Sequence, residues 1–386
     1  MAMRKKRLLS SIILFLSLWF LPFPGLSSEP GDESRGPQPE KTNGYNQKYN
    51  DYARFLAGLR QPEGLLAAYE SRPAWIKYAD SSNRSWGSFA ATQLGPMRKW
   101  AAQELAAVQT ATVFYPFSGP DILNLYTLFP RAQTYVMVAL EPVGALPDFA
   151  TLDLANFFAR LQNSLRQYLQ TDYFVTAKMA AQIAQTELAG VLPVLLFFLA
   201  REQARVLEVQ HLVMKADGAM AERPGGATGE NPGPGIPGVR LVFTGPGAAG
   251  PQTLYYFQLN LQNHSLGRNP QFVAFLKSLG PLTTFTKSAS FLLFSRFSAA
   301  IRQLILERSR YVLQDDSGIP LQDFDPAIWH LRFYGTYKGP IALFKNRFQK
   351  NLATVYNKGK DVYPLPFGIG YHFQAGTSNL LFAAKK

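Results

Sequence analysis

Between Tyr115 and Asp121 the chain reads Tyr-Pro-Phe-Ser-Gly-Pro-Asp, with Glu141 further along. A glycine behind a strand lets backbone N–H groups approach a ligand, with the positive end of the next helix behind them. An acid at the end of a second strand, about 20 residues on, can accept hydrogen bonds from ribose hydroxyls. Gly119 and Glu141 have that spacing. Tyr115, Ser118, Gly119, Asp121 and Glu141 are therefore candidate ligand-binding residues. The competing reading is a structural turn in which Asp121 caps a helix and Glu141 is solvated.

Two further segments carry chemistry. Gln314-Asp315-Asp316-Ser317-Gly318 follows an apolar run. At the carboxyl end of a buried strand, Gln314, Asp315 and Asp316 could bind a cation or a hydroxyl-rich ligand, or supply a base. Thr284 to Ser290 places small hydroxyl residues around Lys287, which suits an anionic group, or else a strand edge of alternating polarity. Ser118, Asp315 and His372 occur in the Ser…Asp…His order of an α/β-hydrolase triad, so Ser118, Asp315, Asp316 and His372 are catalytic candidates. Pro116 and Pro120 stand where that nucleophile turn has glycines. His211, His264, His330 and His372 form no HxH or HExxH pattern, so no metal site is expected.

The elements that must position these residues follow from periodicity and turn chemistry. Thr110–Tyr115 and Thr134–Leu140 are β-prone runs flanking a helical Ile122–Phe129, the opening of a parallel βαβ unit. Helices are expected over Asp51–Arg60, Gly64–Ser71, Trp86–Val108 with a break at Gly95-Pro96, Leu152–Leu169 and Lys178–Glu187. Leu188–Ala200 is apolar but too short to span a bilayer, and reads as a buried helix. Arg205–Met214, Val239–Thr244, Thr253–Leu261, Thr283–Phe294 and Arg310–Gln314 read as strands, and Asn269–Leu279, Ser298–Ser309 and Ile341–Tyr356 as helices, with Leu331–Tyr337 a further segment before the last of them. Gly368–Phe373 and Asn379–Ala383 are terminal β segments. These elements predict an α/β fold: a Rossmann-like, mostly parallel sheet of about six strands, helices on both faces and an antiparallel C-terminal end.

Residues 86–145 and, loosely, the terminal strands resemble the class I S-adenosylmethionine-dependent methyltransferases. The tryptophan-containing helix, the strand–turn–helix–strand–acid order and the antiparallel end carry the resemblance. It implies S-adenosylmethionine as cofactor, with Gly119 and Glu141 on it. That family normally has several small residues in its first loop. Here Gly119 stands between Ser118 and Pro120, and prolines lack backbone donors.

The first 28 residues bear on which reading applies. Arg4-Lys5-Lys6-Arg7 precedes an apolar run over Leu8–Phe23, then Pro24 and the small residues of Gly25-Leu26-Ser27. This is the layout of a secretory signal peptide, cleaved near residues 27–28. It predicts a periplasmic or extracellular protein, away from the cytoplasmic pool of S-adenosylmethionine, and no membrane span after cleavage. The chain has no cysteine, which excludes disulfides, thiolate metal sites and thiol catalysis. With 47% hydrophobic residues it can hold itself together through its core.

Residues 29–50 read as a disordered tether, 51–108 as a helical lead-in, and 109–386 as the Rossmann-like domain, with a Gly/Pro-rich loop at 217–238. Removing the signal's four positive charges from the formal +13 leaves +9. The natural partners are a small polar ligand or an anionic envelope component. The basic residues are dispersed and no nucleic-acid motif occurs, so nucleic acid is not expected. The leading expectation is a binding protein for a small polar or envelope-derived ligand. The alternatives are a methyltransferase-like transferase and a serine hydrolase.

Overall fold

The computed structural model describes residues 46–172, 190–223 and 234–386. The expected signal segment, most of the expected tether, the expected helix at Lys178–Glu187 and the centre of the Gly/Pro-rich loop lie outside the described residues. Residues 45–386 form one unit, so the lead-in helices and the sheet share a core.

The helices before the sheet are α1 (Gln47–Leu56), α2 (Ala67–Glu70), α3 (Pro73–Phe89) and α4 (Gly95–Glu104). Helix α1 begins four residues earlier than expected, because the Asn46 side chain caps it by accepting from the Lys48 N–H. The expected break at Gly95-Pro96 is instead a π-helical turn over Ala90–Leu94 joining α3 to α4. Proline offers no N–H and crowds the carbonyl four residues back, and a widened turn accommodates both.

Among the described residues eleven strands make one sheet: β1 (Thr112–Pro116), β2 (Thr134–Ala139), β3 (Arg205–Met214), β4 (Met220–Glu222), β5 (Ile236–Thr244), β6 (Gln252–Gln258), β7 (Leu282–Thr286), β8 (Ser309–Gln314), β9 (Trp329–Gly335), β10 (Val362–Tyr363) and β11 (Asn379–Lys385). Their order is β10-β9-β11-β8-β7-β1-β2-β6-β5-β3-β4. The centre, β8-β7-β1-β2-β6, is parallel throughout. Strand β1 pairs with β2 in register from Thr112↔Thr134 to Pro116↔Val138, the expected βαβ geometry, with α5 (Ile122–Leu128) between them.

The sheet is mixed, not mostly parallel. Strand β11 lies antiparallel between β8 and β9, and β6-β5-β3-β4 is antiparallel as well. The second antiparallel flank is a run of sequence neighbours, and short connections bring such strands back in the opposite direction. The expected strand at Gly368–Phe373 is a loop with a single bridge, Ile369↔His372. Thr283–Phe294 is strand only to Thr286. Its remainder turns through Ser288, Ser290 and Phe291, which hold φ of 49°, 51° and 54°. The expected helix at Ile341–Tyr356 is a kinked 3₁₀ segment, Ala342–Arg347, followed by a separate helix over Lys350–Lys358.

The core lies on both faces of the sheet, as a parallel centre requires. Successive residues of β1 and β2 alternate between the two layers. Val113, Tyr115, Tyr135 and Met137 face one side, and Phe114, Val136 and Val138 the other. The first layer holds α1, α3, α4, α5, α6 (Leu154–Thr171) and α7 (Leu192–Arg201). All ten residues of α7 are buried, which explains its unbroken apolar sequence. Among the described residues no helix is long and apolar enough to cross a membrane. The second layer holds α8 (Asn263–Arg268), α9 (Pro270–Ser278), α10 (Ala299–Arg308) and α11 (Lys350–Lys358).

Candidate functional site

Strand β1 continues to β2 on one side and borders β7 on the other. The carboxyl ends of β1 and β7 therefore diverge, and a cleft opens where strand order reverses. A cavity of about 400 Å³ occupies that place. Its polar wall includes Ser118, Gly119, Asp121, Glu141 and Lys287, and its apolar wall includes Leu292, Ile341, Leu343 and Phe344. Tyr115, Asn260, Gln262 and Tyr371 also line it. The volume is within the range of small-molecule sites.

The loop after β1 is held tightly. Phe117 and Gly119 take φ of 58° and 53°. The Ser118 N–H donates to the Val138 carbonyl at 3.0 Å, and the Ser118 hydroxyl donates to the Gly119 carbonyl at 2.9 Å. Both Ser118 donors are thus spent on backbone, so this residue shapes the wall and does not supply the free donors its type suggests. Four of the six non-glycine residues with positive φ among the described residues are Phe117, Ser288, Ser290 and Phe291, all on the loops around this cleft. Left-handed backbone costs about 1–3 kcal/mol per residue and persists where the surroundings impose it.

Beneath the cleft is a buried charge cluster. The Lys287 ammonium lies 3.0 Å from Asp121 Oδ2 and 3.1 Å from Asp172 Oδ2. It also donates to the Asp172 carbonyl and sits over the Tyr168 ring. Tyr115 donates to Asp121 Oδ2 at 2.9 Å, and Tyr168 donates to Asp121 Oδ1. The Asn124 N–H donates to Asp121 Oδ1 at 3.2 Å, so Asp121 caps α5 as well as binding the lysine. Asp172 accepts from the Asn124 amide at 2.6 Å and from the Gly370 N–H at 2.8 Å. Burial opposes the charge on Lys287, but Asp121 and Asp172 carry its ammonium above the ordinary lysine range. Burial raises the Asp172 carboxyl to about 6, against the pull of Lys287. Burial and the neighbouring carboxylates push the Tyr115 and Tyr168 phenols well above their usual range.

The sequence-expected residues divide. Tyr115, Ser118, Gly119, Asp121, Glu141 and Lys287 come together around the cleft. The Lys287 ammonium, expected to suit an anionic group, is paired with Asp121 and Asp172, and β7 is a central strand, not an edge. Gln314, Asp315 and Asp316 do not line the cleft. The Gln314 amide bonds its own turn, accepting from the Ile319 N–H and donating to the Ile319 carbonyl. Asp315 accepts from the N–H groups of Ser288 and Ser317, both at 2.9 Å, and so braces the cleft wall from behind. Asp316 faces a separate void of about 10 Å³ beside Asn379 and Tyr356. Burial, then Asp315, raises its carboxyl to about 7. His372 puts Nε2 2.6 Å from the Gly339 carbonyl, and the described contacts of Ser118, Asp315 and His372 do not join them into a triad.

Asp172, Tyr168, Asn124, Leu343, Phe344 and Tyr371 belong to the site without having been expected. Asn124 stands three residues after Asp121, a capping spacing that could have signalled the pair. Asp172 and Phe344 arrive from distant elements and carry no local signal. None of the known family models, curated proteins or solved structures compared with this chain matches it.

Proposed function

We propose that this protein binds a small ligand bearing hydroxyl or amine groups in the cleft at the carboxyl ends of β1, β2 and β7. The observation that carries the reading is the coincidence of a cavity of about 400 Å³, two carboxylates and strained loops at the point where strand order reverses. Glu141 stands just past the end of β2, where an acid can take hydroxyl hydrogens. The sequence over residues 1–28 supports an exported protein, which places the ligand in the periplasm or outside the cell.

One observation favours a second reading, a methyltransferase-like transferase. The strands β6-β2-β1-β7-β8-β11-β9, with β11 alone antiparallel among them, follow the order and directions of the class I methyltransferase sheet. Against it, the Ser118 donors are spent on backbone, Pro116 and Pro120 supply none, and export removes the methyl donor. Of the cofactor's features, the residues present fit its ribose, at Glu141, better than its remaining polar groups.

Native mass spectrometry of the protein purified from its own host tests the first reading. A small molecule released on denaturation and missing from Leu140→Trp is expected. Leu140 is a suitable blocking position because it is exposed and lines the cavity. Retention of the same molecule by the blocked variant would place it elsewhere and refute the cleft. Calorimetry with S-adenosylhomocysteine separates the readings. Micromolar binding that Glu141→Gln abolishes supports the transferase.

A further inference from the structure

We infer that the face carrying residues 338–350 docks on an anionic lipid bilayer, with Leu343 and Phe348 entering its apolar boundary and the basic residues between them on the headgroups. The inference goes beyond ligand binding in the cleft and does not rest on it. The first observation is charge. Residues 326–360 contain seven lysines and arginines and no acid, whereas the whole chain has 39 basic residues to 26 acids. Lys338, Lys345 and Lys350 are exposed and Arg347 is half-buried. Among the described residues none of these four enters an ion pair. Their field is therefore not cancelled by a neighbouring carboxylate and acts on anions outside the chain.

The second observation is apolar exposure on the same segment. Leu343 is 78% exposed and Phe348 50%. The residues beside them are anchored inward. The Phe344 ring lies 5.2 Å from Phe291 and 5.5 Å from Tyr371, centroid to centroid. The Gln349 N–H donates to the Tyr337 hydroxyl at 3.0 Å, and its side-chain oxygen accepts from the Leu321 N–H at 2.8 Å. The Gly339 carbonyl stands 2.6 Å from His372 Nε2. Fastened at 339, 344 and 349, the segment has no slack to turn Leu343 and Phe348 away from water. A bilayer matches both observations, because it sets hydrocarbon just beneath an anionic surface. Nucleic acid offers phosphates without that apolar layer. Each lysine or arginine near an anionic leaflet strengthens binding by about fivefold. Leu343 also lines the cleft, so docking sets the cleft mouth toward the lipid.

The chain has no cysteine, so Leu343→Cys gives a single attachment point for a polarity-sensitive fluorophore on the full chain. Leu65→Cys is the reference: Leu65 is 65% exposed beside Leu66 of the first core layer, whereas Tyr337 and Leu352, which flank the segment, belong to the second. Vesicles of equal parts phosphatidylglycerol and phosphatidylcholine are expected to shift emission at position 343 to the blue and to leave position 65 unchanged. Phosphatidylcholine alone, or the anionic mixture at high salt, should act at least tenfold more weakly. Insertion of the apolar run at residues 8–23 would not bury a label at position 343, so the probe reads this face. Lys338→Gln, Lys345→Gln and Lys350→Gln together should weaken the response about hundredfold, and Phe348→Ser about tenfold. Matching denaturant melts check that these exposed substitutions leave the fold intact. No shift at position 343 overturns the inference, as does an equal shift on phosphatidylcholine alone or at position 65. Duplex DNA bound at lower concentration than the vesicles assigns the face to nucleic acid and overturns it too.

Discussion

Two acidic loops leave the same edge of the sheet, one after β1 and one after β8, and they end in opposite situations. After β1, Asp121 meets Lys287 and stands on the wall of a cavity of about 400 Å³. After β8, Asp315 is bound by the N–H groups of Ser288 and Ser317, and Asp316 faces a void of about 10 Å³. A place beyond the carboxyl end of a parallel strand is therefore not enough to make a site. The β1 loop borders a point where the order reverses and the neighbouring loops part. Strand β8 is flanked by parallel β7 and antiparallel β11, and its turn is covered by residues 349 and 379. The first loop neutralises its buried charge with a cation. The second does so with hydrogen bonds and by raising its carboxyls, which burial pushes up in both Asp315 and Asp316.

Removing the cation tests that contrast most severely. Lys287→Ala leaves Asp121 and Asp172 facing each other in a buried space, and breaking such a pair costs about 3–5 kcal/mol. Denaturant melts are expected to show a loss of that size. Lys287→Met combined with Asp121→Asn and Asp172→Asn should recover most of it, because a neutral set has no uncompensated charge. If the triple variant is no more stable than Lys287→Ala, the cluster is not electrostatic in origin.

The two charge clusters meet at Gly370, which gives the next largest effect. Its N–H donates to Asp172, while a Cβ added there would lie 2.4 Å from Asp315 Oδ2. Its φ of 74° already disfavours a side chain. Gly370→Ala is expected to cost about 2–3 kcal/mol and to disturb both clusters together. Amide hydrogen exchange at Ser288 and Asn124 measures this, and protection unchanged at either would mean that the loops are independent.

The sequence made the first loop legible and the second misleading for a physical reason. The unit Thr112–Ala139 is local: strand, turn, helix and strand adjoin in the chain, so hydrophobic pattern and turn residues describe them directly. Asp121 as a cap belongs to the same local information. Its partner Lys287 was visible as a residue, but its pairing with Asp172 was not, because Asp172 comes from the end of α6. Long-range pairing leaves no trace in local spacing. The antiparallel flank β5-β3-β4 was only partly visible, since Met220–Glu222 lies within a stretch rich in turn residues. The kinked Ala342–Arg347 segment has the apolar spacing of a helix because Leu343 and Phe344 line the cleft instead of a helix interface.

The smallest effect separates the second loop by its pH dependence. Burial, then Asp315, raises the Asp316 carboxyl from 3.8 to about 7, so the folded chain holds a proton that the unfolded chain has released. Its contribution to stability is fully present below about pH 4 and is lost as pH rises through about 7. Stability should fall with a slope of at most about 1.4 kcal/mol per pH unit in that window. Asp172, raised to about 6, adds a similar fall that is complete earlier. The interval from pH 6 to 8 therefore reports chiefly on the Asp315–Asp316 pair. Asp316→Asn keeps an acceptor for the Asn379 amide, which donates to Asp316 Oδ1 at 3.3 Å, and removes the proton. Denaturant melts from pH 5 to 8 should show a shallower decline above pH 6 for Asp316→Asn, with a relative gain of about 1–2 kcal/mol at pH 8. Parallel curves for the two proteins would mean that Asp316 is ionised in the folded state. The second loop would then hold a buried charge like the first, and the contrast between them would lie only in the cavity.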